Sequence, residues 1–183
     1  MNKKMKSMRF LMQLSIVLTA AGFCQAAQAQ VKNVTVALQV NTAQTGMDVT
    51  TRGSCGSKNH NGCIDVPVNK KVRIQFVLNG NRQCDGGRWN LSAVYLGGKN
   101  SLDKPGSWGN LDFDVQDDFD VANTSTGLLN PDAGSNSQKI VIFDANKHSY
   151  DIWYKVTATC MSDSGSAMGS IETDPRIRNG GTQ

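Results

Sequence analysis

Apolar and polar residues alternate along much of this chain with a period of two, which is the signature of strands that bury one face. Val34, Val36, Leu38 and Val40 alternate with Thr35, Ala37 and Gln39 and predict a first strand. Val72, Ile74, Phe76 and Leu78 alternate with Arg73 and Gln75 in a second, which Asn79-Gly80 stops. A third run, Trp89 to Leu96, is bounded by Gly86-Gly87 and Gly97-Gly98. Leu111, Phe113 and Val115 predict a fourth, extended or restarted at Phe119 and Val121. Lys139 to Phe143 and Ser149 to Cys160 flank the turn-like Asp144-Ala145-Asn146-Lys147 and read as a hairpin, and a final strand is expected around Met168 to Thr173.

Residues 1–29 break this rhythm and read as a secretory signal peptide. Lys3, Lys4, Lys6 and Arg9 form a basic start, Phe10 to Phe23 a mostly apolar stretch, and Ala27-Gln28-Ala29 a cleavage site of small residues. A membrane anchor needs about 20 apolar residues, and Gln13, Gln25 and Gln28 shorten this one. Cys24 invites a lipoprotein reading, but Phe23 stands where a small residue is needed. Free export to the periplasm or the medium is expected, with no membrane span after cleavage.

The leader also distorts the charge. Four of the 19 Lys and Arg and none of the 15 Asp and Glu lie in residues 1–29, so cleavage leaves 15 of each and a formal net charge of zero. The balance gives no reason to expect a nucleic-acid partner. Fourteen of the 15 acidic residues are Asp and only Glu172 is Glu, a bias against long helices.

Together these features predict an all-β fold: an antiparallel β-sandwich of about seven strands that resembles the immunoglobulin or cupredoxin architectures, with a closed barrel as the alternative. One domain is expected over residues 30–175. The stretch from Asn123 to Gln138 reads as a long loop, and residues 176–183 as a flexible polar tail.

Cys55, Cys63, Cys84 and Cys160 remain after cleavage, and an oxidising compartment makes two disulfides the natural reading. Of three possible connectivities, Cys55 to Cys63 with Cys84 to Cys160 is preferred. The first closes a polar loop, and the second ties the end of a long strand to the turn before Trp89. Cys160 shares a face with Tyr150, Ile152, Tyr154 and Val156, so its bridge is expected to be buried.

Metal chemistry is the weaker use of the same residues. Cys55, His60 and Cys63 lie within nine residues but match no zinc-finger spacing, and His148 is the only other histidine. Asp112, Asp114, Asp117, Asp118 and Asp120 form an acidic run, yet Asp117 and Asn123 stand where an EF-hand loop has its central Gly and closing Glu. Asp112 and Asp114 are therefore expected on the outward face of a strand, and no cofactor is expected. No nucleophile elbow, His-Glu-x-x-His or phosphate-binding glycine loop is present, so no residue is assigned to catalysis.

Aromatic placement is the one pointer to a working surface. On the strand from Ser149 to Cys160, Trp153 falls among Asp151, Lys155, Thr157 and Thr159 on the polar face. A Trp there is either a binding anchor or covered by a neighbouring segment, and Trp108 in Pro105-Gly106-Ser107-Trp108-Gly109 is a candidate for the cover. Trp89 is expected in the core. Three functions fit: a non-catalytic exported protein that binds a protein or small-molecule ligand through loops and the Trp153, Trp108, Asp151 and Lys155 face; a pilin-like assembly subunit; or a metal-binding periplasmic protein. The polar end of the chain counts against the second.

Overall fold

A computed structural model of the chain describes residues 31–51, 62–67, 69–101 and 103–180. The expected leader, Cys55 and His60 lie outside the described residues. In chain order the strands are β1 (Lys32–Val40), β2 (Met47–Val49), β3 (Ile64–Val66), β4 (Val72–Asn79), β5 (Gln83–Cys84) and β6 (Gly87–Gly97). A short helix, α1 (Phe113–Asp118), precedes β7 (Val121–Asn123), β8 (Leu128–Leu129), β9 (Lys139–Asp144), β10 (Ser149–Ser162), β11 (Ala167–Thr173) and β12 (Arg176–Gly180).

These strands make a β-sandwich. One sheet runs β2-β1-β4-β9, and the other runs β3-β12-β10-β6-β8-β7, with β11 added to β10 and β5 to β6. Buried side chains alternate with partly exposed ones along β4 and β10, so each sheet presents one apolar face to the other. The rings of Phe76 and Tyr154 meet with centroids 5.1 Å apart, and both residues are fully buried. Each such side chain contributes roughly 1.5–3 kcal/mol through removal from water. The Tyr154 hydroxyl donates to the Gly62 carbonyl at 2.6 Å, which removes the penalty of burying a phenol. Trp89 belongs to this core, as its sequence position suggests.

The sheets are mixed where antiparallel sheets were expected. β1 runs parallel to β4 from Lys32↔Val72 to Gln39↔Asn79, and β12 runs parallel to β3. The strands nearest the two chain ends therefore lie inside their sheets, β1 between β2 and β4, and β12 between β3 and β10. The expected tail is thus a strand over Arg176–Gly180, with Ile177 and Asn179 buried. Backbone pairing and one apolar contact fix this segment despite its polar composition.

Two further expectations change. β9 and β10 are not a hairpin, because β9 pairs with β4 while β10 pairs with β6, β11 and β12; the turn between them crosses from one sheet to the other. The fourth predicted strand is the helix α1. Asp112 caps it by accepting the Val115 N–H at 3.2 Å, a stable helix start. Leu111, Val115 and Phe119 are buried at four-residue spacing, while Phe113 is 75% exposed.

The stretch expected as a long loop, Asn123 to Gln138, holds the end of β7 and all of β8, and the rest of it hydrogen-bonds to β9. The Asp132 N–H donates to the Val141 carbonyl at 2.7 Å and the Val141 N–H to Ser135 Oγ at 2.9 Å. These bonds cover the β9 edge, which would otherwise be open to pairing with another chain. Cys84 and Cys160 form a disulfide with Cα atoms 6.1 Å apart, linking β5 and β10 on either side of β6. Cys160 is buried as expected. Cys63 is also disulfide-bonded, and the expected partner Cys55 lies outside the described residues.

Candidate binding face

Alternation along β10 puts Asp151, Trp153, Lys155 and Thr157 on the outer face of the larger sheet, at intermediate exposure. Register then decides their neighbours. Trp153 pairs with Gly97 of β6 and Arg176 of β12, Lys155 with Tyr95, and Asp151 with Arg178. Residues facing each other across paired strands share a face, so two rings, three cations and a carboxylate collect there.

The described residues of loop 98–110 fold onto this face because Gly97 leaves room. A β-carbon on Gly97 would lie 3.2 Å from Trp108 Cα and 3.3 Å from Trp108 Cε3. The return of the loop is held by the Gly109 N–H, which donates to the Leu96 carbonyl at 3.1 Å. Gly109 has φ 93°, and a side chain there would collide with the Ser125 carbonyl. Trp108 is thereby placed beside β6 and β10.

The polar groups of the face are mutually satisfied. Trp153 Nε1 donates to the Ser101 carbonyl at 3.2 Å, and Arg176 donates to the same oxygen at 3.1 Å. Arg176 also pairs with Asp151 at 3.0 Å and lies 5.3 Å from the centre of the Trp153 ring. Arg178 reaches the other Asp151 oxygen at 3.3 Å. Lys155 Nζ sits 4.9 Å from the Tyr95 ring centre, 5.0 Å from that of Trp108 and 3.4 Å from Glu172. Such cation–ring contacts at partly exposed sites contribute about 0.5–1 kcal/mol each. Trp153 is thus partly covered, through the Ser101 carbonyl of loop 98–110 and the Arg176 guanidinium, and like Trp108 and Lys155 it stays half-buried. The four candidate residues Trp108, Asp151, Trp153 and Lys155 come together. Tyr95, Arg176 and Ser101 complete the cluster and were missed, because neither cross-strand register, which brings in Tyr95 and Arg176, nor the fold of the loop that brings in the Ser101 carbonyl is written in any local pattern.

The acidic candidates form a separate site. Lys99 Nζ contacts Asp112 at 2.8 Å and Asp114 at 2.6 Å, and lies 5.0 Å from the Tyr150 ring centre. Partial burial opposes the charge on Lys99, but the hydrogen bonds and charges of the two carboxylates outweigh it and hold its pKa above the ordinary lysine value. For Asp112, likewise, the Lys99 contact and the Val115 N–H overcome the effect of burial and lower its pKa. Asp112 and Asp114 are therefore a helix cap and a lysine clamp rather than outward strand residues. His148 lies 3.7 Å from Asp114 and 4.0 Å from Asp117. Among the described residues no group of three or more His, Cys, Asp or Glu is placed to hold a metal ion.

A cleft of about 340 Å³ opens between loop 98–110 and α1, lined by Lys99, Pro105, Ser107, Leu111, Asp112 and Val115. The loop that carries Trp108 thus has the sheet face on one side and this cleft on the other. Among the described residues no helix is long and apolar enough to cross a membrane. No protein-family model matches this chain, and a search of curated proteins finds no match.

Proposed function

We propose that this chain is an exported, non-catalytic β-sandwich protein that binds a protein or small-molecule ligand through loop 98–110 and the outer face of its larger sheet. The observation that carries this reading is the grouping of Trp108, Trp153 and Tyr95 with Lys155 and Arg176 on one outer face. Trp, Tyr and Arg supply most of the energy at binding surfaces. Here their side chains are held by neighbours before any partner arrives, which lowers the entropy lost on binding. The Cys84–Cys160 disulfide supports residence in an oxidising compartment, the periplasm or the medium.

The test is a titration of the purified protein with a panel of neutral oligosaccharides and of short peptides, repeated with Trp108→Ala and Lys155→Ala. The proposal expects at least one panel member to bind and to lose about tenfold or more in affinity with Trp108→Ala, measured at a temperature where the variant is fully folded. Binding that both variants leave untouched contradicts it.

A further inference from the structure

Two carboxylates are sealed inside the protein close to a single side-chain amide. Asp118, at the end of α1, and Asp144, the last residue of β9, are 2% and 0% exposed. Asn179 of β12 lies between them, its Nδ2 3.5 Å from Asp118 Oδ2 and 3.3 Å from Asp144 Oδ1. Three elements distant in sequence thus meet at one polar point in the interior.

The two acids are held differently. Asp118 accepts the Lys147 N–H at 2.5 Å and the His148 N–H at 3.2 Å, and His148 Nδ1 lies 3.6 Å from it. Oriented N–H groups of this kind stabilise a carboxylate. Asp144 Oδ1 accepts the Asn146 N–H at 2.8 Å, but its Oδ2 is buried without a hydrogen-bond partner. Two like charges this close cannot both be carried in the interior without a large penalty.

The surrounding groups offer little relief. Lys99 is engaged by Asp112 and Asp114, and Lys147 Nζ contacts Asp117 at 2.7 Å. On β4 the residue opposite Asp144 is Val72, and the neighbouring Arg73 pairs with Asp132. From β10, Tyr150 packs against the pair, and burial, then the charges of Asp118 and Asp144, raise its pKa.

We propose that Asp144 holds a proton on Oδ2 at neutral pH, and that the Asp118–Asp144 pair is a proton-operated latch that fastens β12 and the end of α1 to β9. Loss of the proton to solvent leaves two carboxylates facing one amide and loosens these elements. Burial, opposed by the Asn146 N–H and reinforced by the Asp118 charge, pushes the Asp144 carboxyl up to about 8. Its ordinary value is 3.8, so between those values the folded protein binds one proton more than the unfolded chain. Stability therefore falls as pH rises through this window, by up to about tenfold in the folding equilibrium constant per pH unit.

Urea unfolding of the purified protein from pH 5 to 9, with and without Asp144→Asn, tests the latch. The variant presents an uncharged amide in place of the protonated acid. The wild-type midpoint should fall from pH 5 to about pH 8 and level off above it while that of Asp144→Asn stays level across the range, and the Ile177 and Asn179 amides should exchange faster at pH 9 only in the wild type, after correction for intrinsic rates. An equal slope in both proteins overturns the proposal. So does a wild-type midpoint at pH 8 that rises with calcium and falls with EDTA, because a cation would then neutralise the pair. If the variant does not fold, the carboxyl carbon signal of Asp144 in the wild type decides: titration above pH 7 supports the latch, and titration in the ordinary carboxylate range refutes it.

Discussion

Trp108 rests on Gly97, with its Cα 3.2 Å from where a β-carbon of that glycine would stand. The absence of a side chain at position 97 is therefore what allows loop 98–110 to lie on the sheet beside Trp153. Gly97→Ala should push the loop outward and cost about 1–3 kcal/mol by overpacking. Urea unfolding measures the cost, and a red-shifted tryptophan emission reports the exposure.

The Cys84–Cys160 bridge closes a separation of 76 residues across β6. Replacing both cysteines with serine should remove about 4 kcal/mol on the loop-entropy model. Thermal unfolding of the variant, compared with the wild type before and after reduction, checks this. After reduction of both proteins, which also opens the Cys63 bridge, wild type and variant should melt at nearly the same temperature.

Ile177 is fully buried in β12, between β3 and β10. Ile177→Ala should cost about 2–5 kcal/mol, the range for cavity-forming core truncations. A cost below about 0.5 kcal/mol, normal for an exposed position, would place the segment outside the core.

Asp112 both caps α1 and binds Lys99. Asp112→Ala should cost about 1 kcal/mol at neutral pH, mainly through the lost cap. The folded-state pKa of Asp112 lies below 3.8, so the stability it provides is present above that value and is lost as pH falls through it. The difference between variant and wild type, followed by urea unfolding from pH 7 to 2.5, should shrink in the acid range.

Long alternating runs made most of the fold legible. Val72 to Leu78 and Ser149 to Cys160 became β4 and β10, and the inward and outward faces of β10 followed the period of two. The segment Leu111 to Val121 misled because Leu111, Phe113 and Val115 alternate while Leu111, Val115 and Phe119 also repeat every four residues. Asp112 as a cap was the local signal for the second pattern. β12 carries only Ile177 as an apolar mark, and its place depends on partners far away in sequence. The binding face was legible at Asp151, Trp153 and Lys155, which share one strand. Tyr95 and Arg176 reach it through register, which a single sequence does not encode locally.

The most direct test of the central claim is a ¹⁵N map of the purified protein with the tightest-binding member of the oligosaccharide and peptide panel. The account predicts that signals of Tyr95, Ser101, the Trp108 and Trp153 indoles, Lys155 and Arg176 move together on saturation. Movements confined to the Ser162–Ser166 turn or to the β9 edge, with both indole signals unchanged, would contradict it.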